Sequence, residues 1–138
     1  MMKECTYSPR VTEINSADHI GNLTILAWFE DARSFLTNLF KSHENSITKT
    51  GSIIANIDAN FIAEVHYGED VHISSGIVRL GNTSCSISQE AKQQGVLVAS
   101  VKVTVVNFDM THRKSISINE KLEAQLSVWQ VESTANVV

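Results

Sequence analysis

The chain has 138 residues, enough for one domain with one core, and we predict a single domain over residues 1–138. Hydrophobic residues make up 43% of the sequence and charged residues 19%, which excludes a disordered chain. The net charge of −4, with basic residues scattered, argues against nucleic acid as the main partner.

The chain contains no segment that predicts export or a membrane span. The first ten residues lack the apolar stretch of a signal peptide. The longest apolar run, residues 96–108, is interrupted by polar residues and is too short to cross a bilayer. Cys5 and Cys85 form neither a CxxC pair nor a metal-ligand spacing, so we expect reduced thiols and no metal. We therefore predict a cytoplasmic protein without a cofactor and without a membrane partner.

The first third of the sequence predicts a strand, a loop and a long helix. Residues 7–14 are typical of a strand, with Pro9 near its start, and the polar residues 15–21 indicate a loop. Asn22 is the predicted N-cap of a helix that runs from about residue 23 to about residue 41. Apolar residues in this helix recur at steps of four and three, which is one helical face; they are Ile25, Phe29, Ala32, Leu36 and Leu39.

The remaining sequence predicts four strands and a short helix. A polar loop over residues 42–51 leads into a strand over 53–65, where apolar and polar residues alternate. Further strands are predicted over 71–80, with a bulge near residues 75–76, and over 96–108. The Ser-rich, polar segment 83–92 predicts another strand, either near a sheet edge or with one wet face. A helix capped by Asn119 follows over 119–126. Five antiparallel strands curled around one long helix make an α+β hot-dog fold, whose exposed edge favours a dimer.

Motifs around the predicted helix resemble those of the 4-hydroxybenzoyl-CoA thioesterase family of hot-dog proteins. Residues 10–22, RVTEINSADHIGN, are similar to the family pattern VRxxDxDxxGHVNN, and WFEDAR at residues 28–33 is similar to YFEEAR at the same spacing. VRLGNTS at residues 78–84 and GVLVA at 95–99 resemble later family motifs. The resemblance covers residues 7 to about 126 and implies hydrolysis of an acyl thioester of coenzyme A or acyl carrier protein.

The resemblance also implies where the reaction occurs. The acyl carbonyl is expected at the helix start, with the backbone N–H of Asn22 as oxyanion donor. The family's catalytic Asp is replaced here by Asn15, which cannot act as base or nucleophile. Pairing Asn15 with Arg33 resembles the branch associated with polyketide, enediyne and polyunsaturated fatty acid synthases, in which Asn and Arg hold the carbonyl and the water.

Each candidate residue also has a purely structural interpretation. Asn15 is equally typical of a turn, and Arg33 can pair with Glu30 one helical turn away. His19 is a possible general base or a loop-shaping residue, and Asp18 either activates water or complements the helix dipole.

The remaining candidates concern substrate binding and the helix carboxylates. Gly21 and Arg79 are predicted substrate-binding residues, with Trp28, Phe29 and Phe61 lining an acyl tunnel. Arg79 and the basic run at residues 112–114 can meet phosphates or simply form solvated turns. Glu30 and Asp31 are less favoured catalytic carboxylates, because the hot-dog branch that uses such a group has a differently patterned helix.

Three functions compete on this reading. The favoured one is an acyl-CoA or acyl carrier protein thioesterase that forms a homo-oligomer, either a dimer or a tetramer. Hydratases and dehydratases of this fold resemble one another in a His followed by Pro-Gly, or in an Asp and a His five residues apart. Here the only proline is Pro9, and Asp18 and His19 are adjacent, so this function is disfavoured. A non-catalytic module that binds acyl thioesters is the alternative, since Asn15 replaces the catalytic carboxylate.

Overall fold

The computed structural model describes residues 1–41 and 49–132. The strands are β1 (Lys3–Tyr7), β2 (Thr50–Phe61), β3 (Val71–Leu80), β4 (Ser84–Gln93), β5 (Val96–Asp109) and β6 (Lys114–Ser115). The helices are α1 (Asn22–Ala32), α2 (Ser34–Thr37) and α3 (Glu120–Ser127), with 3₁₀ turns at Val11–Glu13 and Asn38–Phe40. The sheet is antiparallel in the order β1–β3–β4–β5–β2. The short β6 pairs with the C-terminal end of β5, at Phe108 and Asp109.

The N-terminal strand lies earlier than predicted. It occupies Lys3–Tyr7 and pairs with the first half of β3, whereas the prediction placed it over residues 7–14. After the buried Pro9 the chain turns into a 3₁₀ helix, where the Glu13 carboxylate accepts a hydrogen bond of 2.7 Å from the backbone amide of Arg10. This local cap stabilises a helical turn where residue type alone indicated a strand.

The predicted long helix spans the expected residues but is interrupted. Arg33, with φ −94° and ψ 0°, ends α1 and precedes α2. The Ser34 hydroxyl donates to the carbonyl oxygen of Asp31 at 2.7 Å, a side-chain bond that competes with the helix's own backbone pattern. The predicted apolar face is confirmed, since Ile25, Phe29, Ala32 and Leu36 are buried and Leu39 is half-buried.

Strand β4 lies in the middle of the sheet and not near an edge. It pairs with β3 on one side and with β5 on the other. Ser86 and Gln89 are buried, while Ser88, Glu90 and Lys92 form the partly exposed face that was the other predicted possibility. The buried polar side chains on this strand form hydrogen bonds, which makes their burial tolerable.

Strand β2 is an edge strand, and its predicted alternation is interrupted. It pairs only with β5, and a bulge between Ile54 and Asn56 shifts its alternation. The strand ends at Phe61 instead of residue 65, and both Ile57 and Phe61 are exposed. The predicted loop over residues 42–51 overlaps β2 at its end, while residues 42–48 lie outside the described part of the chain.

The other predicted elements are confirmed within one or two residues. Strands β3, β4 and β5 match the predicted ranges, although the bulge in β3 falls between Ile77 and Arg79. Gln94 and Gly95 both have positive φ, as a two-residue hairpin turn requires. Asn119 caps α3 by accepting a 2.8 Å hydrogen bond from the Leu122 amide, as predicted. The two-residue β6 was not predicted.

The helical segment and the sheet bury one apolar core between them. Its largest fully buried side chains come from the helices and from β3, β4 and β5, and include Phe29, Phe40, Leu36, Ile73, Ile77 and Ile87. Each such side chain contributes roughly 1.5–3 kcal/mol by leaving water. This core holds α1 against the sheet and leaves the start of α1 at the surface, where the pre-helix loop (residues 15–21) meets it.

Candidate functional site

The pre-helix loop is a closed turn organised by Asn15. The side-chain oxygen of Asn15 accepts hydrogen bonds from the backbone amides of Ala17 at 2.9 Å and His19 at 3.4 Å. Its backbone amide donates to the carbonyl oxygen of His19 at 2.8 Å, and Asp18 takes a φ of +69°. Asn15 therefore has the turn-forming role considered for it. Its Nδ2 group forms no hydrogen bond within residues 1–41 and 49–132 and remains available to a ligand.

The start of α1 carries no side-chain cap. The N-cap is Gly21 rather than the predicted Asn22, which is the first helical residue. The free amides of the first turn and the positive end of the helix dipole favour an oxygen that carries negative charge. A Cβ placed on Gly21 would lie only 3.8 Å from Asn15 Nδ2. The side-chain amide and the helix start thus form one cluster of donors.

A second segment, which the sequence did not single out, lies against the pre-helix loop. The Ile20 amide donates to the Val65 carbonyl oxygen at 2.8 Å, and this brings Glu64 beside His19. Glu64 Oε1 is 3.9 Å from His19 Nε2, and Oε2 is 3.7 Å from His66 Nε2. Glu64 and His66 are 45 or more residues from His19 in sequence and belong to no local motif, so only the tertiary structure identifies them.

Arg33 lies apart from the donor cluster, whereas Asp18 belongs to the pre-helix loop and its backbone amide donates to the Asn15 carbonyl oxygen at 3.0 Å. The exposed Asp18 side chain forms no hydrogen bond to the described residues of α1 and does not cap it. Arg33 is the C-cap of α1, eleven residues after Asn22, which puts it roughly 16 Å farther along the helix axis. The structure therefore does not bring Arg33 to Asn15 of the same chain.

Arg33 is a buried cation with few partners. Its side chain is 5% exposed, and the guanidinium donates a single long hydrogen bond of 3.4 Å to Gln89 Oε1 among the described residues. Burial lowers the pKa of Arg33, and the longer-range charge of Glu30 opposes that shift without forming the predicted ion pair. Gln89 in turn donates to the Phe29 carbonyl oxygen and to the Ser75 hydroxyl.

A groove runs along the exposed side of α1 from its first turn. Its volume is about 520 Å³, and we call it the α1 groove. It is lined by Tyr7, Ser8, Arg10, Glu13, Leu23, Thr24, Ala27, Trp28 and Asp31. Leu23, at the end nearest the donor cluster, is 82% exposed.

The far end of the α1 groove is closed by an aromatic pair. The rings of Tyr7 and Trp28 stack at 5.8 Å, and the Tyr7 hydroxyl donates to Asp31 Oδ2 at 2.7 Å. Burial raises the pKa of Tyr7, and the bonded carboxylate of Asp31 raises it further. Trp28 lines the α1 groove, whereas Phe29 is fully buried in the core and Phe61 lies exposed on β2. The acyl tunnel lined by these three residues stays a prediction.

The predicted phosphate-binding residues lie elsewhere. Arg79 donates hydrogen bonds to Ser84 and Ser86 at the β3–β4 hairpin. It lies eight residues after Val71, the first residue of β3, which is roughly 26 Å along the strand. In the basic run at residues 112–114, His112 Nδ1 lies 2.8 Å from Asp109 Oδ2. Both groups are held by partners within the fold.

The described residues contain no group of three or more His, Cys, Asp or Glu side chains able to hold a metal ion. Cys5 and Cys85 are free thiols. Across residues 1–41 and 49–132, no helix is both long and apolar enough to cross a membrane.

The comparison with family models decides the family. Residues 9–126 match the model described as the thioesterase-like superfamily, which covers most of the chain. The chain belongs to the thioesterase-like superfamily. The search of curated proteins gave no match to this member of the superfamily.

Similar solved structures confirm the hot-dog fold. A predicted thioesterase from Bacillus stearothermophilus is 29% identical, with a TM-score of 0.86 over 96% of this chain and 98% of its own. A thioesterase from Thermus thermophilus, complexed with coenzyme A and Zn, is 15% identical, with a TM-score of 0.77 over 92% of each chain. The hypothetical protein SAV2348 from Staphylococcus aureus, in complex with CoA, is also 15% identical, with a TM-score of 0.81 over 97% of this chain and 89% of its own.

Proposed function

We propose that this protein hydrolyses an acyl thioester of coenzyme A or of an acyl carrier protein, releasing a fatty or polyketide acyl chain. The observation that carries the proposal is the donor cluster, where Asn15 Nδ2 lies beside the uncapped start of α1. Membership of the thioesterase-like superfamily supports the reaction class. The coenzyme A bound in two proteins of the same fold supports the choice of carrier.

The donor cluster has the chemistry that thioester hydrolysis needs. When water adds to the thioester, the carbonyl oxygen becomes negatively charged, and N–H groups already in place stabilise that charge. The backbone amides of the first turn of α1 supply such groups, with Asn22 first among them. Asn15 Nδ2 supplies a further donor, and the loop bonds to its Oδ1 hold that amide in orientation.

The α1 groove is the proposed path for the thioester substrate. It begins beside the donor cluster at Leu23 and extends to Asp31, a span of eight residues or roughly 12 Å of helix. Its apolar lining residues, Leu23, Ala27 and Trp28, suit an acyl chain or the alkyl part of a pantetheine arm. In this proposal Arg33 does not share the reacting centre with Asn15 of the same chain, and Arg79 does not contact the substrate near it.

The proposed assembly is a homodimer joined through β2. Eleven of the twelve residues of β2 pair with β5 on one side and leave the other edge open, with Ile57 49% exposed and Phe61 42% exposed. Open edges with exposed apolar residues favour pairing with another strand. A second copy is the partner of matching length and polarity, and a tetramer would need a further surface.

The experiment is thiol release from a panel of short, long and aromatic acyl-CoAs, with wild type beside two substitutions at position 15. Asn15→Ala removes both the donor and the loop acceptor. Asn15→Asp keeps an acceptor for the Ala17 and His19 amides but replaces Nδ2 with oxygen. We expect Asn15→Ala to lose roughly 100-fold in kcat, as when one oxyanion donor is removed. Asn15→Asp loses the same donor but gains a carboxylate, so its kcat should exceed that of Asn15→Ala.

The matched control is Asn82→Ala, at an exposed turn on the far side of the sheet, which should retain wild-type turnover. Wild-type turnover no faster than buffer across the panel would rule out the proposal. Full activity of Asn15→Ala would show that Nδ2 is not a donor to the substrate, whereas Asn15→Asp places the family's carboxylate at this position and tests whether a base there is used.

The alternative is a module that binds acyl thioesters without hydrolysing them. It is favoured by one observation, namely that position 15 lacks a carboxylate and that the Asn15 oxygen is occupied within the loop. Calorimetric titration with an acyl-CoA separates the two functions. Tight binding with the thioester intact after hours would support the module, and measurable turnover would exclude it.

A further inference from the structure

Three ionisable side chains from two distant segments meet beside the start of α1. The Glu64 carboxylate lies between two imidazoles, 3.9 Å from His19 Nε2 and 3.7 Å from His66 Nε2. No other carboxylate lies within ion-pair distance of His19 among the described residues. The cluster adjoins the donors of the proposed thioesterase site because His19 belongs to the pre-helix loop, on which Asn15 also lies.

The scaffold under this cluster is well defined. Ile20 and Val65 are each 1% exposed and are joined by the Ile20 N–H to Val65 O hydrogen bond of 2.8 Å. Gln93 fixes the backbone of the segment that carries Glu64 and His66. Its side chain accepts a hydrogen bond from the His66 amide at 3.0 Å and donates one to the His66 carbonyl oxygen at 2.8 Å. With Val65 turned into the core, its neighbours Glu64 and His66 are turned towards the surface beside His19.

We propose that His19 is the general base of the thioester hydrolysis proposed above and that Glu64 is its positioning residue. Glu64 Oε1 faces Nε2 of His19, so the tautomer with hydrogen on Nε2 is favoured and Nδ1 carries the lone pair. The separation of 3.9 Å is longer than a hydrogen bond, and catalytic contacts of this kind shorten when substrate binds. Among the described residues Nδ1 has no hydrogen-bond partner.

The proposed step balances without a co-reactant. The oxygen of water bonds to the carbonyl carbon while a water proton moves to His19 Nδ1, and the carbonyl electron pair moves onto the oxygen at the donor cluster. The intermediate then collapses as the C–S bond breaks, and the proton on His19 passes to the thiolate. The products are a carboxylic acid and a thiol, and His19 is regenerated.

This assignment rests on the proposed function and accounts for the neutral residue at position 15. Asn15 donates to the carbonyl oxygen, and the role of base belongs to a side chain on the same loop. Glu64 provides the carboxylate from a segment 49 residues later in the sequence. His66 contacts the second oxygen of Glu64 and restrains its rotation.

The test measures kcat and KM for Glu64→Gln, Glu64→Asp, His19→Gln and the double variant His19→Gln/Glu64→Gln. We expect about a 100-fold loss of kcat for His19→Gln, a general-base effect, and a loss of about tenfold for Glu64→Gln, both with KM unchanged. Glu64→Asp should recover part of the Glu64→Gln loss. The double variant should be no slower than His19→Gln alone, because the two residues act as one unit.

Glu69→Gln is the matched control, since Glu69 is an exposed carboxylate on the same segment and should have wild-type kcat. Thermal melts of every variant show whether it folds, and Glu64 is exposed enough for substitution to be tolerated. An inactive wild type would overturn the proposed function itself. An active wild type whose kcat is unchanged by Glu64→Gln, or losses that multiply in the double variant, would overturn the role of Glu64 alone.

Discussion

The backbone amide of Ile20 donates a 2.8 Å hydrogen bond to the carbonyl oxygen of Val65, joining the pre-helix loop to the segment that follows β2. Both residues are buried, so the bond is protected from water and fixes the relative position of the two segments. Through it, Glu64 and His66 lie beside His19 of the pre-helix loop.

Tyr7 and Asp31 allow a test of how the far end of the α1 groove is held. Tyr7→Phe removes the 2.7 Å hydrogen bond and keeps the ring stacked on Trp28. Because Asp31 is exposed and regains water, we expect the free energy of unfolding to fall by only about 0.5–1.5 kcal/mol. Urea unfolding measures this, with the exposed Tyr67→Phe as control. If Tyr7→Phe and Tyr67→Phe lower the free energy of unfolding equally, the hydrogen bond between Tyr7 and Asp31 does not stabilise the fold.

Arg33 is expected to stabilise the fold little or not at all. A buried guanidinium that forms one 3.4 Å hydrogen bond does not recover its lost hydration. Arg33→Met keeps most of the volume and removes the charge, so we expect an unfolding free energy that is unchanged or higher by about 1 kcal/mol. Arg33→Ala also leaves a cavity and is expected to cost roughly 2 kcal/mol. A large destabilisation by Arg33→Met would contradict this account.

Cys85 is expected to be chemically inert in the folded protein. Burial raises the pKa of Cys85 to about 11, and the nearby charge of Arg79 opposes the shift only in part. At pH 8 the thiolate is therefore scarce as well as inaccessible. A chromogenic disulfide reagent should label at most one thiol per native chain, at Cys5, and both in urea. The Cys5→Ser variant should remain unlabelled until it unfolds, and rapid native labelling of that variant would contradict the burial of Cys85.

Asp109 makes the β5–β6 turn sensitive to acid. The His112 amide donates to Asp109 at 2.9 Å and, with the His112 side chain and the Thr111 amide, holds the pKa of Asp109 below its usual range. A carboxyl with a lowered native pKa stabilises the fold at pH values above its unfolded pKa, roughly 3.9, and loses that contribution as pH falls through the native value.

The test compares Asp109→Asn with wild type by urea midpoint across pH. The difference in urea midpoint between the two proteins should be largest near pH 7. It should decrease below about pH 4, where the wild-type carboxyl becomes protonated. Asp58→Asn, at an exposed strand position, should show no such trend. A midpoint difference that stays constant down to pH 2 would exclude the carboxylate as its source.

The open edge of β2 predicts the effect of charge on assembly. Ile57→Glu places a carboxylate on the exposed edge strand, and in a symmetric dimer joined through β2 it would bring two like charges together. We expect wild type to sediment as a dimer and Ile57→Glu as a monomer at micromolar concentration. Val96→Glu, at an exposed position outside β2, is the control. A wild-type monomer, or an Ile57→Glu dimer, would exclude pairing through β2.

Local pattern determined much of the architecture. Helical spacing from Ile25 to Leu36 correctly placed the buried face of the helix, and the ranges of β3, β4 and β5 followed from alternation and turn residues. These signals are readable because a helix or strand that buries one face repeats its apolar residues with its own period. Asn119 was recognisable as a cap for the same reason, since capping depends on residues three positions apart.

Only the tertiary structure showed how buried each strand is and which site residues meet, because both depend on the elements packed around them. Apolar residues alternate with polar ones along β2, yet Ile57 is exposed because no layer covers that part of the edge strand. The serines of β4 suggested a strand near an edge or with one wet face, but pairing on both sides places it inside the sheet and buries Ser86. Arg33 shares a family motif with the residues before α1, yet the length of the helix separates them.

The sequence by itself determined the fold class, the helix whose start receives the substrate in the proposed function, and the neutral residue at position 15. Only the tertiary structure showed that Gly21 rather than Asn22 caps that helix and that Glu64 lies next to His19. The physical reason is distance along the sequence. Periodicity and capping depend on residues a few positions apart, whereas the contact between His19 and Glu64, 45 residues apart, depends on how the whole sheet curls around the helix.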